Sequence, residues 1–296
     1  MQSEANTARD HAKQFFRLGR RCLDGLIVVS LASVVSVSQA DVKAASAADF
    51  ATVLASDVRQ HDRPRDAFRH PAETLAFFDL QADMTVVEIW PGGGWYADIL
   101  GPFLAQQGQY YAAHFDPDSP VGYFRNSRER FEAKMASQPG SFGSTTLTVF
   151  APGSDHAIAP DGSADRVLSF RNVHNWYMRG GDEQVLAAFE TFYRALKPGG
   201  ILGVVEHRLA ADRPLADQQS SGYMNQAYVI RMAQQVGFTL AASSEVNANP
   251  ADTTRHPKGV WTLPPSYRLG DQDRDRYQEI GESDRMTLKF IKPVLR

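Results

Sequence analysis

The sequence predicts an α/β protein built on a doubly wound, mostly parallel sheet, and three observations carry that expectation. Short β-rich runs alternate with helical periodicity from residue 85 to residue 236. A glycine-rich turn joins the first of these strands to the helix behind it, and the chain ends in two further strand-like runs with no strong helical pattern between them. Parallel strands joined by right-handed crossovers form a sheet covered on both faces, with its ligand crevice at the carboxyl ends of the strands.

In chain order, residues 85–90, 109–115, 145–150, 166–170 and 201–207 read as strands, and 96–106, 127–137, 183–196 and 223–236 as the helices between and after them. The runs 238–246 and 286–291 read as an antiparallel pair closing the sheet. Between them, 247–284 is long for a structureless loop and reads as a lid or insertion; it carries Trp261, Pro264, Pro265 and Tyr267. Ahead of the core, Phe50, Val53, Leu54 and Val58 fall at helical spacing within alanine-rich 44–60, predicting a helix. Residues 61–71, dense in Arg, His and Pro, read as a solvated connector that ends at Pro71, where a first helical turn tolerates proline. The chain thus divides into a leader (1–40), a helical extension and connector (41–73) and one large domain (74–296).

The leader follows from Arg17, Arg20 and Arg21, the apolar run 25–37, and Ser38-Gln39-Ala40 behind it. That is the layout of a signal peptide cut after Ala40, which implies a periplasmic or secreted protein. A membrane anchor or a retained N-terminal helix are the alternatives, although an anchor needs about 18–20 apolar residues and this run is shorter. Cys22 is the only cysteine and lies in the leader, so disulfides, zinc-thiolate sites and cysteine nucleophiles are excluded from the mature chain, and no metal site is predicted. A net charge of −3 gives no footprint for nucleic acid or an anionic membrane. A small-molecule partner is expected, with no stable membrane insertion once the leader is removed; the oligomeric state stays open.

The sharpest local signal is Val86-Val87-Glu88-Ile89-Trp90-Pro91-Gly92-Gly93-Gly94-Trp95-Tyr96, an apolar strand entering a glycine loop and then a helix. Glycines there let backbone approach a ligand, and the helix start offers free N–H groups. Asp116 follows the second strand, where an acid can accept hydrogen bonds from ribose hydroxyls. Gly92-x-Gly94-x-x-Ala97 also fits the dinucleotide pattern, which keeps an NAD-dependent oxidoreductase open.

Glu88 to Gly94 resembles the first motif of class I S-adenosylmethionine-dependent methyltransferases. Asp116 resembles their ribose-binding acid, residues 165–176 their fourth-strand motif, and Leu196-Lys197-Pro198-Gly199-Gly200 the turn before their fifth strand. The terminal strand pair completes their seven-stranded, Rossmann-like pattern from about Thr74 onward. Arg69-His70-Pro71, the Trp90–Tyr96 run and the segments 261–267 and 285–293 look like a leader-bearing branch of predicted methyltransferases. The resemblance implies S-adenosyl-L-methionine as cofactor, touching Glu88, Gly92, Gly93, Gly94 and Asp116, with Ser154 and Asp155 near the adenine and Arg171 and Asn172 past the fourth strand. One position departs: Trp90 stands where the family has its first glycine, so its ring either stacks on the cofactor or partly fills its place.

Beyond the fourth strand, Arg171, Asn172, His174, Asn175 and Trp176 cluster at the crevice, and His207 with Arg208 ends the fifth strand. His174 and His207 are candidate bases; Tyr96, Asn175, Trp176, Arg208 and Trp261 are candidates for holding substrate. Plainer roles compete at several positions: a structural acid at Glu88, an ordinary turn at Ser154 and Asp155, a salt-bridged strand end at Arg208. The expected function is methyl transfer to a small molecule. An exported, non-catalytic binding protein on the same fold is the alternative, with the NAD-dependent oxidoreductase second.

Overall fold

The computed structural model describes residues 50–294. The expected leader with its cut after Ala40, and the first part of the helix expected over 44–60, lie outside the described residues. Among the described residues no helix is long and apolar enough to cross a membrane.

One sheet contains β1 (Thr85–Ile89), β2 (Gln109–His114), β3 (Thr146–Val149), β4 (Ala164–Phe170), β5 (Leu196–His207), β6 (Thr239–Ser244) and β7 (Arg285–Ile291). Their order is β3-β2-β1-β4-β5-β7-β6. Strands β1 to β5 pair in parallel, and β7 inserts antiparallel between β5 and β6. The predicted doubly wound sheet with its antiparallel terminal pair is therefore present. The central strands carry Val86, Val87 and Ile89, Val167 and Leu168, and Leu202 and Val204 without exposure, as a sheet covered on both faces requires. Gly203 sits where a Cβ would come within 2.8 Å of Leu168 and 2.9 Å of Phe78, so the strand lies close against its cover.

The main helices are α1 (Pro71–Phe77), α2 (Ala97–Leu104), α3 (Gly122–Ser137), α4 (Val173–Ala195), α5 (Gln226–Val236) and α6 (Arg274–Ile280). One core joins α4 and α5 to the sheet through Trp176, Phe189, Phe192, Val229 and Met232. The other is built by Leu75, Phe78, Ile99, Leu100 and Phe131 on the opposite face. Asn225 caps α5 by accepting a hydrogen bond from the Tyr228 N–H, and Gly237 at φ 109° ends it.

Several elements differ from the sequence expectation for identifiable reasons. Helical backbone starts at Val173, ten residues before the helix expected over 183–196, because Gly180 and Gly181 break one long element (Gly181 at φ 62°) rather than precede it. The polar cluster past β4 therefore rides on the first turns of a helix. The helix expected over 44–60 is, in its described part, only Ala51–Leu54; Ser56 turns to ψ 138° and a 3-10 turn, Asp57–Arg59, follows. The connector is solvated only in part: His61, Arg63, Pro64, Ala67 and Phe68 are exposed, but Asp66 pairs at 2.7 Å with the fully buried Arg59 ahead of it, and Arg69 is 2% exposed. The stretch 247–284 is an ordered cap, tied down by Asp252, whose carboxylate accepts from the Tyr223 hydroxyl, the His256 ring and the Asp284 N–H.

Inside the sheet, Glu88 on β1 accepts a hydrogen bond from the Tyr110 hydroxyl on β2 at 2.5 Å. Burial pushes its carboxyl up to about 8 despite that bond. The folded protein thus keeps a proton that the unfolded chain releases near the ordinary carboxyl value of 4.5, and stability falls as pH rises between those two values. The slope is at most about 1.4 kcal/mol per pH unit. Glu88→Gln retains an acceptor for Tyr110 and removes the ionisation, so thermal melts should show a smaller loss between pH 5 and pH 8 and a higher melting temperature than wild type at pH 8. An unchanged pH dependence would show that the carboxyl ionises normally in the fold.

Candidate functional site

The loops leaving the carboxyl ends of β1, β4 and β5 enclose a cavity of about 500 Å³. Gly92 and Gly93 line it from the β1 side, Arg171, Asn172, His174 and Asn175 from the start of α4, and His207 from β5. Trp261 and Pro264 of the 247–284 cap, Arg65 and Arg69 of the connector, and Glu282 and Arg285 at the start of β7 complete it. Beside it, at the ends of β2 and β3, lies a slot of about 310 Å³ walled by Phe115, Asp116, Phe124, Phe150, Pro152 and Trp176. Trp90, Phe115, Phe124 and Arg179 border both spaces.

Trp90 decides how the two spaces relate. Its backbone has φ 46°, a conformation costly for a bulky residue and natural for the glycine it replaces. The ring Nε1–H donates to the Phe150 carbonyl at 2.9 Å, and the ring packs on Phe115, Phe150 and Trp176 with centroids 4.8, 5.7 and 5.8 Å away. Half-buried, it forms a shared wall with the slot on one side and the larger cavity on the other.

The three loop glycines have different roles. A Cβ on Gly93 would meet nothing within 4 Å, and Gly92 at φ 60° would meet only the Trp90 carbonyl at 4.0 Å. Gly94, expected at the cofactor, does not line the cavity: at φ 83° its missing Cβ faces α3, 3.1 Å from Phe131 and Lys134. His114 secures the loop from below. Burial brings its imidazole down to about 4; Nδ1 accepts from the Phe115 N–H, so Nε2 donates to the Gly92 carbonyl at 3.2 Å.

Asp116 borders the slot, and one of its oxygens accepts the Asp118 N–H at 2.8 Å. Ser154 and Asp155 line neither space; the Ser154 hydroxyl closes a turn onto the Ala151 carbonyl, and Ala151 and Pro152 form the slot wall instead. Asn172 donates to the Ile89 carbonyl at 2.8 Å, fixing the start of α4 to β1. Arg208, expected to hold substrate, is turned outward into ion pairs with Asp284 (2.8 Å) and Glu245 (2.7 Å). Trp176, also expected there, is a core residue against Phe150, Phe189 and Phe192 that reaches only the slot. Asn175, Trp261 and Tyr96 do line the cavity, with Tyr96 stacked on Phe170 at 3.5 Å and its hydroxyl pushed up to about 12 by burial.

The two candidate bases are held differently. His174 places Nδ1 2.9 Å from Oε1 of Glu206, whose other oxygen accepts the His174 backbone N–H. Glu206 is fully buried and also accepts the His207 N–H at 2.8 Å. His207 places Nδ1 2.5 Å from the Ser283 hydroxyl. Burial, then His174, Arg285, Arg171 and Arg69, hold the His207 imidazole well below its ordinary range, so it stays neutral. His174, Glu206 and His207 bring potential ligand atoms within 4.8 Å of one another. Both Glu206 oxygens already accept N–H groups, so the carboxylate fixes the start of α4 to the end of β5.

Sequence reasoning assigned no site role to Arg65, Arg69, Glu282 and Arg285. Glu282 accepts from Arg65 at 2.7 Å, from Arg69 at 2.9 Å and from Arg285, gathering residues more than 200 positions apart. Burial pushes its carboxyl up, but Arg285, Arg69, Arg171 and Arg65 outweigh that and hold it at about 2. An arginine-dense connector signals a solvated segment until the acid that gathers it is known.

No protein-family model and no curated protein matches the chain. Among solved structures, the cyclase SpnF superposes with a TM-score of 0.52 at 17% identity, covering 77% of this chain and 82% of its own. A putative sarcosine dimethylglycine methyltransferase from Galdieria sulphuraria does so with a TM-score of 0.53 at 14% identity, covering 79% and 86%. At these identities the likeness is one of fold, and together with the order β3-β2-β1-β4-β5-β7-β6 it gives the chain the class I S-adenosylmethionine-dependent methyltransferase fold.

Proposed function

We propose that the protein is an exported S-adenosylmethionine-dependent methyltransferase acting on a small molecule. The observation that carries this reading is the adjacency of two unlike spaces on either side of one wall. The slot is flat, aromatic and edged by Asp116, which suits an adenosine; the neighbouring cavity is polar and bordered by exposed Gly92–Gly93 backbone, which suits the zwitterionic end of the same molecule. Phe115, Phe150 and the Trp90 ring would hold the base, the free oxygen of Asp116 the ribose, and Gly92, Gly93 and Asn172 the amino-acid end. When bound, the cofactor supplies an electrophilic methyl group on a sulfonium.

The chain's own contribution is orientation and one proton. Glu206 holds the His174 ring with its proton on Nδ1, which leaves Nε2 as the acceptor for a proton from the substrate's nucleophile. His207, kept neutral by burial and the arginines, is the poorer proton acceptor and fits a hydrogen-bonding role. Trp261 and Pro264 cover the cavity, so the transfer is shielded from bulk water.

Trp90 supports one other reading, a binding protein on this fold that uses no cofactor, because its ring stands where glycine backbone would meet the ligand. The oxidoreductase reading is weaker: the dinucleotide sheet continues in parallel beyond β5, whereas here β7 is antiparallel.

Calorimetry with S-adenosylmethionine, S-adenosylhomocysteine and NAD separates the three. Asp116→Ala should weaken binding of the first two about 10-fold or more, through loss of a charge-assisted hydrogen bond. Gly93→Val should fold as wild type, since its Cβ position is open, yet fail to bind; Gly94→Val should destabilise the fold through its positive φ and its contact with Phe131. Wild-type affinity in folded Asp116→Ala and Gly93→Val would place the cofactor elsewhere and remove this reading.

With an acceptor in hand, His174→Ala should lower single-turnover rates roughly 10²–10⁴-fold with cofactor affinity intact. Glu206→Gln should displace the acid limb of the pH–rate profile, which a merely structural role would leave in place. Export predicts that the intact mass of protein from its native host begins at Asp41; a soluble cytoplasmic species retaining residues 1–40 would contradict it.

A further inference from the structure

The larger cavity carries far more positive charge than its acids neutralise. Five arginines line it, at positions 65, 69, 171, 179 and 285, against the carboxyls of Asp62, Glu88 and Glu282. Glu88 is held neutral by burial, and Glu282 alone serves Arg65, Arg69 and Arg285.

Two features point from that surplus to a ligand. Arg171, at the end of β4, has no hydrogen-bonded or ion-paired acid for its guanidinium among the described residues, although it lies in a wall where burial and Arg285 bring it down to about 10. It is presented by a backbone at φ 62°, a conformation a non-glycine residue adopts at a cost. Arg69, 2% exposed, uses Nε on Glu282 and leaves Nη1 buried without a partner; Nε of Arg285, also 2% exposed, is likewise unpartnered. Buried guanidinium N–H groups without acceptors are costly, and the natural acceptor for several at once is an oxyanion.

We propose that Arg171, Arg69 and Arg285 form an oxyanion site for the second substrate, so that the methyl acceptor carries a carboxylate or a phosphate. This rests on the methyltransferase reading for the word acceptor and on the arginines themselves for the anion. The cluster lies at the ends of β4 and β7, on the other side of β1 from the adenosine-shaped slot at β2 and β3. An anion fixed there brings the rest of the molecule against His174 and His207, which share the same cavity. The cofactor's own carboxylate has the same chemistry, so the test separates the two sources.

Inorganic phosphate and acetate are titrated into the protein alone and into protein saturated with S-adenosylhomocysteine, with binding read by calorimetry at low salt. At least one should bind in both states. Arg171→Gln should weaken that binding roughly 10- to 100-fold, and Arg171→Lys, which keeps the charge and loses the planar fork, by less. Because Arg171 has no acid to orphan, both variants should fold, as thermal melts would confirm. Anion binding that disappears when S-adenosylhomocysteine is bound would assign the arginines to the cofactor's carboxylate and overturn the proposal. So would no binding of either anion in either state, or binding that Arg171→Gln leaves unchanged. Anion binding sensitive to Arg171, in a protein that does not bind S-adenosylhomocysteine at all, would keep the oxyanion site and remove the methyltransferase reading instead.

Discussion

Glu282, three residues before β7, is the acid on which the geometry of the cavity depends. Its carboxylate is 3% exposed and accepts from Arg65 and Arg69 of the connector and from Arg285 of β7. Taking four charged groups out of water is unfavourable, and the cluster holds only because one carboxylate serves three guanidinium groups at short range. Its effect is positional: it fastens the segment before α1 to the start of β7, so that Arg65 and Arg69 line the cavity. Trp95, with the Arg59 and Arg69 guanidinium groups at 5.1 and 4.5 Å from its ring, fixes the same segment to the glycine loop.

That one contact also explains what could be read from the sequence and what could not. The sheet was legible because strands buried on both faces are near-continuous apolar runs, and 85–90, 166–170 and 201–207 are such runs with Glu88, Ser169 and Glu206 as interruptions. Strand ends slipped by a few residues where hydrogen bonding outlasts the apolar pattern, as in β5, which starts at Leu196 and pairs across a bulge with Ala164. The cluster after β4 was found because topology alone sends it to the crevice. Within it the chemistry of single residues was not legible. Arg171 and Arg208 both follow a strand end, yet one faces the cavity and the other pairs with Asp284 and Glu245, residues whose proximity no local pattern reveals. Trp176 reads as a candidate for holding substrate and is a core residue, because the helix starts at Val173 and turns its ring inward onto Phe150 and Phe192.

Glu206 was missed for a related reason. In sequence it is a lone acid inside an apolar strand, and its meaning appears only when α4 brings His174 to 2.9 Å from it. The pair then separates two histidines that are equivalent as letters. One is oriented by a buried carboxylate, while the other is kept neutral by burial first and then by His174 and the arginines. Arg285, Arg171 and Arg69, which line the same cavity, add to the burial that opposes a positive charge on His207.

Trp90 shows how a bulky residue can be held in a strained turn of this fold. The strained φ of 46° is retained because Phe115, Phe150 and Trp176 enclose the ring and the Phe150 carbonyl takes its N–H. Glycine at this position would let a ligand lie on backbone and leave slot and cavity as one trough; the indole divides them and offers an aromatic face instead. A planar group stacked on that face would gain dispersion and lose backbone contact. The same wall borders the larger cavity from the β2 side, and Arg171 and Arg285 border it from the β4 and β7 side.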